Sequence, residues 1–317
     1  MSPNASQTGM LKTQRVNIRR LLARYWMHYI MILPAIVLLF IFAYTPMAGI
    51  LIAFQDYKIK SGLAGFFNSK WVGLENFWFL RDPYFWTTVR NTLNITVLRM
   101  LVNWPLPIVI ALMLNEIRYL RYKKTIQTIT YLPHFISWII AAYMITQLLA
   151  LDGGIVNNFL RVLGINQIHF LGKPEYFTFI IALSAAWKSA GWGTIMYLAA
   201  LSNVDVSLQE AAIIDGAGRF KRIWHIDLPC IKPTIVILLI LSMPGLFSAG
   251  IDQIMPMQNP ANMAASDVLD IYIVRLGLVK ANYSLSTAIG LIMSVINLTL
   301  VLTSNKLANI LGNDGLF

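Results

Sequence analysis

The sequence predicts an all-α membrane protein with six transmembrane helices. Composition is the first reason: 57% of the 317 residues are hydrophobic and 12% are charged. Soluble domains usually carry about a quarter charged residues. The second reason is six apolar segments, at roughly 29–52, 92–114, 126–150, 177–201, 231–249 and 285–303. Each approaches the ~20 residues that a helix needs to cross a bilayer. The third is where the basic residues fall. These observations argue against a soluble enzyme, a disordered scaffold and a collagen-like fibre.

The net charge is +11, from 25 Lys and Arg against 14 Asp and Glu. A nucleic-acid partner is one explanation of a basic chain, but membrane topology is the better one. With the N-terminus inside, 14 basic residues fall on inner pieces and eight on outer loops; Arg90, Arg99 and Lys188 lie at or within spans. Positive residues favour the cytoplasmic side, so both termini are expected inside. The organisation is then a cytoplasmic segment 1–28, a six-helix domain 29–303 with an inner loop at 202–230, and a cytoplasmic tail 304–317.

The first span begins at Tyr29. It resembles a signal peptide, but ~28 mostly polar residues precede it and no small-residue cleavage site follows promptly. It reads as an uncleaved span. Pro34, Pro105, Pro107, Pro133 and Pro244 lie in or near spans, which points to kinked or broken helices around a cavity. The loop 53–86 carries nine aromatic residues, from Phe66 to Trp86, expected to lie at headgroup depth as an interfacial belt. The loop 250–283 carries Asp267 and Asp270, three apart and expected to be solvated. The lone Cys230 cannot form an internal disulfide or, by itself, a metal cluster; it reads as a packing residue. No metal site is expected, since His28, His169 and His225 are scattered. His134, beside Pro133, reads as a hydrogen-bonded structural histidine more readily than as a pH-sensitive ligand.

Ionisable residues inside a membrane are costly and mark function by default. Arg99 in span two and Lys188 in span four are therefore expected to face a cavity, where they would attract an anionic sugar. Trp187 and Trp192 would stack on sugar faces, and Asn94, Gln147 and Tyr197 would hydrogen-bond hydroxyls. The plainer alternatives are snorkelling for the charges and packing for the rings.

The loop after span four is the most informative segment. Ser207 and Glu210 have the spacing of a capping box, so a helix is expected to start there. Leu208, Ala211, Ala212 and Ile214 or Asp215 continue it for about one and a half turns. Gly216 and Gly218 permit a reversal that bulkier residues resist. Leu228-Pro229 is expected to end the second segment before span five.

The run Glu210-Ala211-Ala212, three residues, Gly216, nine residues, Ile226, one residue, Leu228-Pro229 resembles the EAA signature of permease subunits of binding-protein-dependent ABC importers. Tyr131–Trp138, Asp152–Asn157 and Gly191–Thr194 are similar to the carbohydrate branch, and Trp71–Phe77 is shared more widely. Within that branch the chain resembles permeases for oligo- and polysaccharides, including alginate and acidic pectin fragments.

The resemblance implies a type I ABC importer permease fold in a bacterial cytoplasmic membrane. It implies a coupling helix docking on a separate ATPase, with Glu210 pairing with a basic residue there. Ala211 and Ala212 would pack in the cleft, Gly216 would make the turn, and Asp215, Leu228 and Pro229 would complete the segment. The implied partners are a second, different permease, two ATP-binding subunits, an extracytoplasmic sugar-binding protein and the surrounding lipid.

No Gly-x4-Gly-Lys-Ser/Thr phosphate loop occurs in the chain. ATP and Mg are therefore expected in the partner ATPases, with no cofactor and no enzymatic activity in this chain. The rivals are a permease for a neutral oligosaccharide and an ion-coupled secondary transporter. The latter needs a membrane carboxylate or an inverted repeat, and neither is evident. A membrane-embedded carbohydrate enzyme lacks its acid/base pair.

Overall fold

The structure is a computed structural model, and it describes residues 18–58 and 62–310. Lys12, Arg15 and Lys60, most of the predicted segment 1–28 and the end of the tail 304–317 lie outside these residues. By its contacts the chain divides after Leu51.

The first unit is helical. Helix α1, Ile18–Leu39, carries Pro34 inside it and runs into a wide π-helical turn, Phe40–Tyr44. The apolar stretch Tyr25–Phe54, which reaches just past the unit's end, is 30 residues long.

The second unit is built around one helix. After a 3-10 turn at Glu75–Arg81, α2 runs Pro83–Asn103. Asp82 caps it, accepting the Tyr84 N–H at 2.9 Å, and Pro83 occupies the first turn, where no donor is missed. Helix α3, Pro105–Asn115, follows directly, and the two together form one 33-residue apolar stretch. Then come α4, Leu120–Tyr131, α5, Trp138–Leu148, and α6, Pro174–Ser202. Helix α7 is Val206–Ile214, α8 is Leu228–Ser242, and α9 is Tyr283–Ile310.

Helix α6 is the hub, touching α2, α3, α4 and α8. Its buried face carries Ala185, Ala186, Ala190 and Gly191. Small residues let helices approach where lipid offers no hydrophobic drive. The approach is closest at Gly191, where a Cβ would stand 2.0 Å from the Thr130 carbonyl oxygen. Ile108, Ala111, Tyr197, Leu201 and Ile231 form the core at one end of the hub. Ile95, Ala142, Phe177, Ile181 and Ile254 form another core.

Helix α2 adds a polar seam. Thr96 donates to the Leu246 carbonyl at 2.7 Å. Thr92 accepts the Leu269 N–H at 2.9 Å, and Asn91 donates to the Ala264 carbonyl at 2.8 Å. Such interhelical bonds pin irregular backbone that lipid could not satisfy.

Among the described residues, four stretches are apolar and long enough to cross a membrane, or five where a bent pair is counted as one span. That pair is a broken helix of the kind Pro133 pointed to. Residues 120–135 and 138–148 meet at 100°. Ile136 and Ser137 leave the helical region, and the Ser137 side chain caps α5 by accepting the Ile140 N–H. Pro133, three residues earlier, cannot donate to an α-helical ladder.

Two expectations for the loops also change. Phe79 and Phe85 are buried in a third core with Leu269 and Leu285, and their rings meet edge-on at 4.7 Å. They are therefore core residues, whereas Phe67, Trp71 and Trp78 are exposed. Asp267 is buried and paired with Arg275 at 2.7 Å, and the Tyr84 hydroxyl donates to it. Asp270 accepts the Gly250 N–H at 3.0 Å. The two carboxylates are held by the fold instead of standing in water, because a buried charge needs partners.

Candidate functional site

Helix α7 carries the conspicuous motif. Its cap is Asp205, whose carboxylate accepts the Ser207 N–H at 2.9 Å. The capping box at Ser207 and Glu210 is thus corrected: a carboxylate two residues earlier takes the role, and the helix starts at Val206. Hydrogen bonds from Ser207, its backbone N–H first, hold the Asp205 carboxyl below the usual carboxylate range.

The helix ends as the glycine demanded. Gly216 sits at φ +75°, and the Ala217 N–H closes on the Ala212 carbonyl at 2.8 Å. Gly218 has φ −70°, an ordinary value, so only the first glycine is needed for the turn. Leu228-Pro229 does not stop the next segment. A π-helical turn at Ile223–Asp227 joins Arg219–Arg222 to α8 in one apolar stretch, Arg219–Phe247. Pro229 is tolerated in the first turn of α8 because the wide turn before it has already broken the regular ladder.

The motif faces outward. Glu210, Ala211, Asp215, Gly216 and Pro229 are exposed; Ala212 and Leu228 are half-buried. Among the described residues, no hydrogen bond or ion pair is formed by the Glu210 side chain. Among its apolar neighbours in the chain, Ile213 and Ile214 on the same helix are uncovered, Ile214 at 85% exposure, and Phe220 and Trp224 in the following segment are exposed as well. Cys230 is exposed as well, so it is not the packing residue expected.

Joined to α7 is a polar network that the sequence did not reveal. Gln209 donates to Asp227 at 2.7 Å and accepts from Arg222 at 3.2 Å. Arg222 and Arg219 stand 3.8 and 3.7 Å from Glu116. Glu116, Gln209, Arg222 and Asp227 line a cleft of about 360 Å³ with Asn115, Arg118 and Ser202. Glu116 and Gln209 are too far apart in the chain for any spacing rule to pair them.

The residues assigned to a sugar path do not converge in one cavity. Lys188 is buried; its ammonium donates to the His134 carbonyl at 2.7 Å and sits 5.2 Å from the Trp138 ring centre. Trp192 stacks on the His134 ring at 4.5 Å. His134 is held by stacking and through its carbonyl, and its Nδ1 has no hydrogen-bond partner among the described residues, so the expected side-chain hydrogen bond is absent there. Trp187 lines an apolar cavity of about 650 Å³ with Met144, Phe170 and Phe179. Arg99 lines a separate cavity with Asn103, Trp104 and Ser248 and donates to the Ala249 carbonyl. Tyr197 is buried in the core. Asn94 and Gln147 are exposed.

Residues 103–308 match the family described as "Binding-protein-dependent transport system inner membrane component". The chain belongs to this family. The matched region contains α7 and the polar network joined to it. Protein LplB of Bacillus subtilis (strain 168) is 42% identical over 290 residues, 91% of this chain and 90% of that protein. The polygalacturonan/rhamnogalacturonan transport system permease protein YteP of the same organism is 40% identical over 307 residues, 96% and 94%.

A crystal structure of a bacterial alginate ABC transporter, in complex with an alginate pentasaccharide-bound periplasmic protein, contains a chain 36% identical to this one. It superposes with a TM-score of 0.85, covering 94% of this chain and 99% of that one. The fold is that of a type I ABC permease.

Proposed function

We propose that the chain is the transmembrane permease subunit of an ATP-driven oligo- or polysaccharide importer, and that α7 is its coupling helix. The observation that carries this reading is Glu210, exposed and without a partner among the described residues, on a helix whose Ile213 and Ile214 are also uncovered. A lone exposed carboxylate beside uncovered isoleucines suits docking into a basic-rimmed cleft on an ATPase subunit. Ala211 is small enough to let that partner approach, and Gly216 and Asp215 shape the exit.

ATP and Mg then belong to two partner ATPases, whose closure pushes α7 and biases a two-state pore. A second permease completes the pore, and an extracytoplasmic binding protein delivers the sugar. Six spans with both termini cytoplasmic fit the basic-residue bias, the bent pair serving as span three and α6 as span four.

The cargo assigned is acidic, as polygalacturonan is for YteP and alginate for the solved transporter. Lys188 supports this, being a buried cation without a carboxylate partner among the described residues. Its bond to the His134 carbonyl supports the second reading, a neutral oligosaccharide, because that cation is already held.

Reconstitution with candidate ATPases, partner permease and binding protein tests both readings. Uptake of oligogalacturonide, alginate oligosaccharide and arabino-oligosaccharide is compared in proteoliposomes. Glu210→Lys is expected to abolish uptake and co-purification of the ATPase; retention of both would remove the coupling assignment.

A further inference from the structure

We propose that Glu116, Gln209, Arg222 and Asp227 form a rigid joint that transmits the movement of α7 to two spans at once. They are positioning residues, and the inference rests on the coupling role given to α7.

The joint connects three pieces of chain. Glu116 follows the last turn of α3. Gln209 lies on α7, next to Glu210. Arg222 and Asp227 flank the π-helical turn that leads into α8. Helix α7 and its flanking turns are otherwise held largely by their own backbone bonds. A push on a short helix with a glycine exit would be absorbed by the loop unless side chains carry it onward.

The Gln209 amide is the central link. Its Nε2 donates to Asp227 at 2.7 Å and its Oε1 accepts from Arg222 at 3.2 Å. An amide turned over would set donor against donor and acceptor against acceptor, so its two partners fix one orientation. Asp227 is 2% exposed, which makes loss of its partner costly. The side chains of Arg222 and Glu116 are 14% and 23% exposed, so their attraction is screened less than that of a surface pair. The network therefore resists shear between α7, the end of α3 and the start of α8.

The test uses the assembled transporter in proteoliposomes. ATP hydrolysis and uptake of whichever oligosaccharide in the panel above is transported are read together. Gln209→Glu keeps the shape but sets a carboxylate against Asp227. It is expected to leave ATPase co-purification intact and lower uptake per ATP hydrolysed on the order of tenfold, within the range of site–site coupling energies. Adding Asp227→Asn restores a donor to that position, and the ratio is expected to recover.

Glu116→Gln, which weakens only the ion pairs, is expected to lower the ratio by less. An unchanged ratio in Gln209→Glu, or no recovery in the double variant, would overturn the joint. Normal co-purification of Glu210→Lys would instead overturn the docking reading on which it rests. Because only co-purified complexes are assayed, misfolded protein does not enter the ratio.

Discussion

Two of the sharp turns among the described residues are built in opposite ways. The turn at Gly216 is local: Asp205 caps the helix before it, a left-handed glycine ends it, and a bond to Ala212, five residues back, closes it. The break at Ile136–Ser137 is held from a distance. Lys188 on α6 donates to the carbonyl of His134, 54 positions away, and Trp192, from the same helix, stacks on that histidine. The first reversal is exposed. The second lies between two apolar helices, and a neighbouring helix satisfies its freed backbone.

The difference predicts which substitutions disturb each region. The largest effect belongs to the contact that seats α4 on α6. Gly191→Ala places a Cβ on top of the Thr130 carbonyl, a main-chain atom that cannot rotate away. We expect a loss at the upper end of the ~1–3 kcal/mol typical of overpacking. Gly193→Ala meets Pro107 at 3.0 Å and should cost less. Thermal unfolding of the detergent-solubilised chain compares the two; equal midpoints would show that α4 is free to shift.

The next effect separates a hinge lock from a sugar contact. Lys188→Met removes a charge-assisted bond of about 1.5–3 kcal/mol and also relieves the cost of a buried cation, so the net stability change is smaller. The bend itself is expected to loosen. Spin labels at Thr128→Cys and Met144→Cys, in a Cys230→Ser background, should report a broader distance distribution. A pure sugar contact would leave that distribution unchanged and raise the KM for an acidic oligosaccharide.

At the local turn the effects are smaller. Gly216→Ala meets nothing within 4 Å, so its cost is conformational alone, ~1–2 kcal/mol for a residue with a side chain in the left-handed region. Gly216→Asn should cost less, since asparagine tolerates that region. Co-purification with the ATPase is expected to fall in the order glycine, asparagine, alanine. An alanine variant equal to wild type would show that the turn relaxes on docking.

The same contrast explains what the sequence disclosed. The loop after α6 was legible because its helix, its turn and its exposed motif are set by residues a few positions apart. Even there the cap was misplaced by two residues, since Asp205 and Ser207 both have capping chemistry and only the backbone path chooses. The break was visible only as Pro133, which marks a weak point without saying how far the chain bends. The network of Glu116, Gln209, Arg222 and Asp227 left no trace, because its contacts join residues from 13 or 18 positions apart, across a turn, to more than a hundred, as in Arg222 with Glu116. The sugar-path residues were chosen for polarity within apolar runs. Polarity shows that a side chain needs a partner, and in Lys188 and Arg99 that partner is a backbone carbonyl.

The smallest effect distinguishes a charged cap from a neutral one. The Asp205 carboxyl lies below the usual carboxylate range because Ser207 hydrogen-bonds its ionised form. Its folded value is therefore below its unfolded value of about 3.9. The stabilisation is fully present above that unfolded value and is lost as pH falls through the folded one. Asp205→Asn keeps an oxygen able to cap but does not titrate, whereas Asp205→Ala removes the cap at every pH. Amide exchange at Leu208–Ala211 is expected to quicken below about pH 4 in the wild type, beyond the intrinsic trend for that cap carboxyl. It should be pH-independent relative to that trend in the asparagine variant and uniformly fast in the alanine one. If wild type and Asp205→Asn show the same profile, the cap acts through geometry alone, and the local reversal owes nothing to charge.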